Sequence, residues 1–378
     1  MKQAVIAGYV RSPFTLAGKG ALAHTRPDDL AAAVVSALVA RTGVKAEDLE
    51  ALILGCAFPE AEQGLNIARL TVLLAGLPQS VAGYTVNQFC GSSMQAIHIA
   101  AGHIATGAGD VFIAGGVESM SRVPMTGFNI LPNPKLAATV PGAYMGMGET
   151  AENVAKKWNI ARQAQEEFAL RSQKRAAAAI AAGNFKDEII PVHAKGGEVS
   201  VDGCPRPDST AEGLAALKPA FDAAGSVTAA TSSPLTDGAT AVLVCSEDYA
   251  KANGLKPIAR IVSAASAGCA PEIMGIGPVA ATRKALKRAG LEIGAIDVVE
   301  LNEAFASQSI ACVQELGIRE DTLNIDGGAI ALGHPLGATG ARLVGKAASL
   351  LQRTGKRYAL ATQCIGGGQG IATILERV

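Results

Sequence analysis

The chain has 378 residues, 49% of them hydrophobic and 4% aromatic, and Lys plus Arg equals Asp plus Glu at 33 each. This length exceeds what one hydrophobic core usually supports, and balanced charge provides no overall field to attract nucleic acid or an anionic membrane. No apolar run approaches the ~20 residues of a membrane span. We therefore expect two or more domains, and neither nucleic acid nor a membrane as partner.

The seven cysteines are odd in number, scattered, and contain no CxxC pair. This pattern disfavours both a disulfide framework and a zinc site, so we expect reduced thiols and no metal. No targeting segment is recognisable, because the chain enters a predicted strand immediately after Met1 and Lys2. These features together predict a cytoplasmic protein.

The first third of the chain alternates predicted strands with predicted helices, which is typical of a layered α/β architecture with buried strands. Residues 120–233 break this rhythm with many prolines, a helical segment over 150–182 and a polar stretch over 195–212. We interpret them as an inserted lobe. The predicted elements before it are strands over 4–9, 49–55, 81–86 and 111–114, and helices over 27–41, 64–75 and about four turns after Cys90.

Alternation returns at residues 239–245, and the second half of the chain repeats the first. A constant offset of 247 over ~70 residues is hard to obtain by chance, although strand–helix units resemble one another in general. Equivalent loops of two duplicated halves would meet near a pseudo-twofold axis. The pairs that share the offset are Gly43 with Gly290, Leu49 with Ile296, Leu52 with Val299, residues 110–114 with 357–361, and Cys90 with Gly337.

Cys90 is predicted to lie at a corner between a strand and a helix, directly before Gly91, Ser92 and Ser93. Free N–H groups and the dipole at a helix N-terminus favour an anion, and a thiolate is the nucleophilic form of cysteine. A reactive thiol is one interpretation. The other is a small buried hydrophobic residue, which is what most free cysteines are.

Unusual polar residues occupy loops of the second half. His334 is one of five histidines and lies between Gly333 and Pro335, whereas Cys364 precedes a run of glycines. A structural loop histidine and a buried turn cysteine are the alternatives. The glycine run is weak support for a nucleotide site, because no Lys-Ser/Thr follows it.

Four motifs, NQFCGSS at 87–93, NEAF at 302–305, GHPLGATG at 333–340 and CIGGGQG at 364–370, together strongly resemble the thiolases. That resemblance covers the whole chain. It implies the five-layered αβαβα fold of two duplicated halves with an inserted loop domain. The implied domains are an N-terminal half over 1–119, completed by about 234–258, a CoA-binding insert over 120–233, and a C-terminal half over 259–378.

The resemblance also implies roles for individual residues. Cys90 would be the acylated nucleophile, His334 its base, and Cys364 the acid and base at the substrate α-carbon or the CoA thiol. Asn302 and His334 would hold the thioester oxygen of the acetyl unit, through a water and a ring N–H. The backbone N–H groups of Cys90 and Gly366 would form a second oxyanion hole.

CoA is expected as a substrate, and no cofactor is expected. The resemblance implies a contact with pantetheine at Ser233 and a substrate channel along Phe221, Met147 and Phe305. Arg206 would approach the CoA phosphates, although a lone arginine in a polar loop is usually a solvated surface charge. The partner expected besides acyl-CoA is a second copy of the chain, in a homodimer or homotetramer, with residues 111–116 packed across the twofold axis.

Departures from the family pattern, such as Tyr144 in place of a histidine and Pro234 in place of a glycine, favour the degradative branch that cleaves 3-ketoacyl-CoA in fatty-acid β-oxidation. Its acyl tail would pass beside residues 145–148. The alternative is an acetyl-CoA acetyltransferase that makes acetoacetyl-CoA. Less favoured are a ketoacyl synthase, which would lack Cys364, a non-catalytic acyl-CoA or lipid-binding protein, and a redox thiol protein.

Overall fold

A computed structural model describes residues 2–378. The strands are β1 (Ala4–Arg11), β2 (Thr15–Leu16), β3 (Ala51–Gly55), β4 (Ala82–Val86), β5 (Val111–Ser119), β6 (Val192–Ala194), β7 (Gly197–Val199), β8 (Thr236–Ser246), β9 (Ala259–Gly268), β10 (Val298–Leu301), β11 (Tyr358–Ile365) and β12 (Gln369–Glu376). The α-helices are α1 (Pro27–Thr42), α2 (Ile67–Leu74), α3 (Ser92–Thr106), α4 (Pro134–Thr139), α5 (Met147–Lys157), α6 (Arg162–Ala181), α7 (Ala211–Ala215), α8 (Glu247–Ala252), α9 (Gly277–Ala289), α10 (Ala306–Leu316), α11 (Ala329–Leu332) and α12 (Leu336–Thr354). Within residues 2–378 no helix is both long enough and apolar enough to cross a bilayer.

The strands of the two halves form one continuous sheet in the order β4-β3-β5-β8-β1-β9-β12-β11-β10, with β2 beside β8. The order β3-β5-β8-β1 is repeated in reverse as β9-β12-β11-β10, so the halves are related about a point between β1 and β9. At that point the two strands pair only through Val5 with Arg260 and Ile6 with Ala259. The strands β6 and β7 form a separate hairpin in the inserted lobe.

The helices form three layers around the strands. Side chains of a strand point alternately to its two faces, so each half of the sheet can pack helices on both sides. Val5 of β1 packs in a cluster with residues of α1 and α2, whereas Ile6 packs in a second cluster with residues of α3 and α12. A third cluster joins α9 and α10 to the strands of the second half. The helices α3 and α12 therefore lie between the halves, and the predicted five-layered αβαβα fold is confirmed.

The duplication predicted from the offset of 247 is present in the structure. Gly43 and Gly290 end α1 and α9, each in the left-handed conformation with φ of 67° and 66°. Ser93 and Gly340, which also share the offset, meet in the central layer: Ser93 Oγ accepts a hydrogen bond of 2.9 Å from the N–H of Ala341. A Cβ atom at Gly340 would lie 2.5 Å from the backbone nitrogen of Met94, so only glycine allows this approach.

The helical segment predicted over 150–182 is two helices, α5 and α6. Asn159 between them has φ of 54°, a left-handed conformation that asparagine tolerates better than most residues. The N–H of Ile160 bonds back to the carbonyl of Ala155 at 2.8 Å, and Ile160 is buried. The break lets a buried isoleucine reach the core and turns α6 away from α5.

The expectation that residues 111–116 pack across a subunit axis is wrong. Their strand, β5, lies inside the sheet between β3 and β8, and all nine of its residues are buried. The free edge of the first half is β4, which pairs only with β3.

Candidate active site

A tight turn between β4 and α3 places Cys90. Phe89 adopts a left-handed conformation, with φ of 44°. The Ser92 hydroxyl donates to the Phe89 carbonyl at 2.6 Å. A side chain at Gly91 would overlap Ile365, which belongs to β11 of the other half. The nucleophile predicted from the sequence therefore lies on a strained turn that is pressed against the second half of the chain.

The Cys90 thiol is neutral in this setting. Burial raises its pKa to about 12, although the backbone N–H groups of Gly366 and of Cys90 itself donate to the sulfur and oppose the shift. The carboxylate of Glu118 adds to the increase. Removal from water thus outweighs the helix N-terminus, so the thiol needs a base before it can attack. The predicted pair of N–H donors nevertheless converges on the sulfur.

His334 is buried and held on three sides. Its backbone N–H donates to Thr236 Oγ1 at 3.0 Å, its Nδ1 lies 2.7 Å from Thr339 Oγ1, and its Nε2 lies 3.3 Å from Nδ2 of Asn302. Burial, followed by the nearby positive charge of Arg342, lowers its pKa to about 3. The imidazole is therefore uncharged at neutral pH and has a lone pair with which to accept a proton.

Cys364 and Asn302 complete the polar part of the site. Burial, followed by proximity to Cys90, raises the pKa of the Cys364 thiol well above its usual value. Asn302 is fully buried at the end of β10, and its Oδ1 accepts no hydrogen bond from residues 2–378. A neutral thiol can act as an acid, and an unpaired buried amide oxygen can bind a donor from substrate or solvent.

One cavity of about 470 Å³ brings most of the predicted residues together. Asn302 and Gly366 adjoin this cavity through one contact each. Asn302 contacts His334, and the N–H of Gly366 donates to the sulfur of Cys90. Arg206 instead lines a second cavity of about 250 Å³, which shares Ser232 and Pro234 with the first. The predicted residues that line the first cavity are Cys90, His334, Cys364, Ser233, Phe221, Met147 and Phe305.

An aromatic pair forms part of the wall of the first cavity. The rings of Phe221 and Phe305 meet edge to face, with centroids 5.9 Å apart and planes at 82°. A Cβ atom at Gly148 would lie within 2.5 Å of Phe221 Cε1. Gly148 was expected to lie beside the acyl tail. Its closest neighbour is instead the ring of Phe221, a residue predicted to line the substrate channel.

Two buried carboxylates that sequence reasoning left without a role hold the site together. Glu118 accepts from the N–H groups of Ala57 and Gly337 at 2.8 Å each, which joins β5 to the first turn of α12, three residues after His334. Glu303 accepts from Ser172 at 2.6 Å, which joins the inserted lobe to the second half. Glu303 lies inside the NEAF motif, and this was the signal that the sequence offered.

Together these groups have the chemistry that acyl transfer needs. A thiol can attack a carbonyl carbon, a neutral imidazole can take its proton, and N–H groups can bind the oxygen that becomes negative. A second thiol in the same cavity can exchange a proton with a carbon or sulfur of the substrate. All seven cysteines are free thiols.

Comparison with known proteins agrees with this geometry. The sequence model of the thiolase N-terminal domain matches residues 4–248, and that of the thiolase C-terminal domain matches residues 255–377. The chain therefore belongs to the thiolase family, and it is an acyltransferase enzyme.

Full-length relatives include proteins named 3-ketoacyl-CoA thiolase. That of Bacillus subtilis is 48% identical over 389 residues, that of Idiomarina loihiensis 50% over 388, and that of Vibrio cholerae 49% over 387. Each alignment covers 100% of this chain and 100% of the relative.

Proposed function

We propose that the enzyme cleaves 3-ketoacyl-CoA with CoA, giving acetyl-CoA and a shortened acyl-CoA, as in fatty-acid β-oxidation. The observation that carries this proposal is the presence of two thiols, Cys90 and Cys364, beside the neutral imidazole of His334 in one cavity. The names of the full-length relatives support it.

In the first half-reaction the Cys90 sulfur attacks the 3-keto carbon while His334 takes the thiol proton. The N–H groups of Cys90 and Gly366, which already point at the sulfur, bind the oxygen that becomes negative. The bond between C2 and C3 then breaks, its electrons remain on C2, and the Cys364 thiol protonates that carbon. The products are acetyl-CoA and an acyl group on Cys90.

Two groups stabilise the enolate of the leaving acetyl unit: Asn302 and the protonated His334. The imidazolium can donate its new Nε2–H to the thioester oxygen of the acetyl unit, where the charge of the enolate collects. Asn302 lies 3.3 Å from this nitrogen and can hold a water at the same place. Stabilising the enolate lowers the barrier to breaking the carbon–carbon bond.

In the second half-reaction the Cys364 thiolate takes the proton of incoming CoA, and the CoA sulfur attacks the acyl carbon. Cys90 leaves as a thiolate and recovers its proton from His334. Each step is reversible, so the same groups can also run the condensation that makes acetoacetyl-CoA. Two moderate steps through a thioester replace one difficult step.

In this proposal, CoA runs along the two adjoining cavities. The pantetheine arm would run past Ser233, Met147 and the aromatic pair toward Cys90. Its nucleotide would lie toward the second cavity, where the exposed Arg206 is available for a phosphate. In this arrangement one extended ligand would pass Ser232 and Pro234, which line both cavities.

We also propose a homo-oligomer that acts in the cytoplasm. The free edge β4 offers unpaired backbone groups to a second sheet. Exposed apolar side chains lie close to it in sequence, with Leu65, Leu73 and Leu74 at 88%, 48% and 52% exposure. The edge strand and these side chains are the proposed contact with a second copy. Sedimentation that shows a fully active monomer would exclude this part.

The main test follows the 3-ketoacyl-CoA absorbance on addition of CoA, with acetoacetyl-CoA and with a longer substrate. Without CoA, the shortened acyl group should appear by mass on the Cys90 peptide. Cys90→Ala should abolish both signals, whereas Cys245→Ala, at a buried thiol inside the sheet, should retain them. Cleavage of acetoacetyl-CoA alone would indicate the acetyltransferase alternative, and label on another cysteine would refute the assignment.

A further inference from the structure

The side of the His334 ring that faces away from Asn302 contacts a single hydroxyl group. Thr339 lies in the first turn of α12 and is fully buried, and its Oγ1 is 2.7 Å from Nδ1 of the ring. The same hydroxyl donates to the carbonyl of Pro335 at 3.0 Å. Among residues 2–378 no carboxylate hydrogen-bonds to the ring.

These contacts favour one of the two ring nitrogens as the site of the proton. A hydroxyl has one proton, and here it is directed to the Pro335 carbonyl, so Oγ1 accepts from Nδ1–H. On the other side, Nδ2 of Asn302 is a donor and faces Nε2, which must then carry the lone pair. Two independent contacts therefore agree on the Nδ1–H tautomer.

We propose that Thr339 is a positioning residue that holds His334 in the Nδ1–H tautomer and so keeps on Nε2 the lone pair that takes the Cys90 proton, in place of the long 3.3 Å contact with Asn302. The inference rests on the acylation of Cys90 in the proposed function. In the opposite tautomer Nε2 would carry a hydrogen and could not accept the thiol proton. When the imidazolium forms, its Nδ1–H keeps the same partner, so the ring need not move during the step.

A hydroxyl suits this position better than a carboxylate would. Burial and the charge of Arg342 keep the ring neutral, whereas a carboxylate on Nδ1 would favour the imidazolium before substrate binds. Thr339 thus orients the ring without charging it. Its methyl group is not needed for this role, so serine should replace it.

The test compares three variants in a single-turnover assay of acyl transfer from substrate to Cys90. Thr339→Val keeps the shape and removes the hydroxyl, and we expect acylation to slow by about 10- to 100-fold with KM unchanged. This is less than the roughly 10²- to 10⁴-fold that a general base contributes, because the imidazole itself remains. Thr339→Ser should stay within about threefold of the wild type. Thr373→Val is the matched control, because buried Thr373 likewise places its Oγ1 2.8 Å from Nε2 of a histidine, the half-buried His98, outside the site, and it should acylate at the wild-type rate.

Nitrogen NMR of the wild type labelled on its five histidines reads the tautomer directly and needs no variant. A proton on Nδ1 of His334 supports the proposal, and a proton on Nε2 in the resting enzyme overturns it. Wild-type acylation by folded Thr339→Val also overturns it. If the wild type forms no acyl group on Cys90, the proposed function fails, and the NMR result still decides the tautomer.

Discussion

A methyl group at residue 148 would test whether the aromatic pair of the cavity wall binds the part of CoA that all substrates share. In Gly148→Ala the new Cβ would lie 2.5 Å from Phe221 Cε1, whereas carbon atoms in contact are about 3.5–4.0 Å apart. The ring must therefore move by about 1 Å or more. It can do so, because Phe221 is 46% exposed.

The cost follows from the contacts that the ring gives up. Its edge-to-face contact with Phe305 is worth about 0.5–1.5 kcal/mol beyond the buried area. If pantetheine binds against this pair, KM should rise by a similar free energy, or about 2- to 12-fold. The turnover number should change little, because neither ring takes part in the proposed proton transfers of Cys90 and His334.

The assay measures kcat and KM with acetoacetyl-CoA and with a medium-chain 3-ketoacyl-CoA. Gly102→Ala is the control, because a Cβ there meets no atom within 4 Å. Both substrates should lose affinity by the same factor in Gly148→Ala, and neither should do so in the control. A loss that grows with chain length would refute this reasoning and restore the sequence-based expectation that the acyl tail passes residue 148.

Three further results are expected. Because the pKa of His334 is lowered to about 3, its imidazole stays neutral from pH 8 down to 5; single-turnover acylation should be flat over that range, and an acid limb near pH 6.5 would contradict a neutral buried base. Glu118→Gln turns one acceptor oxygen into a donor and leaves two N–H groups unpaired, so urea unfolding should show a loss of about 2–6 kcal/mol, and an unchanged midpoint would refute this anchoring role. His334→Ala should chiefly slow acylation of Cys90 and Cys364→Ala chiefly exchange of the α-proton, whereas equal loss of both partial reactions in both variants would show that the roles are not separate.

The fold could be predicted because its signals are local or repeated. Gly43 and Gly290 mark the ends of equivalent helices. The strands that follow them, β3 and β10, are largely apolar runs in the sequence. The order of the strands in the sheet could not be predicted in the same way, because nothing in residues 111–119 shows that β8 will pair with them. That strand follows the insert, so β5 was wrongly assigned to a subunit interface.

The grouping of the candidate residues around one cavity could also be predicted, whereas their electrostatics could not. A cysteine at a helix N-terminus suggests a thiolate, but the groups that bury Cys90, such as Ile365 and Gly366, come from the other half of the chain. The contact between His334 and Thr339 spans only five residues, yet the motif alone does not show which ring nitrogen it touches. Distances in three dimensions were needed for both.

The position of β8 in the sheet has a consequence for biosynthesis. β5 pairs with β8 along its whole length, from Val111 with Cys245 to Ser119 with Asp237, yet residues 120–235 must be synthesised between them. At ordinary ribosomal rates this takes on the order of 10 s. During that interval the nascent chain carries an apolar strand with one side unpaired, so a chaperone that shields extended apolar segments would raise the yield of this enzyme more than that of a chain whose neighbouring strands emerge together.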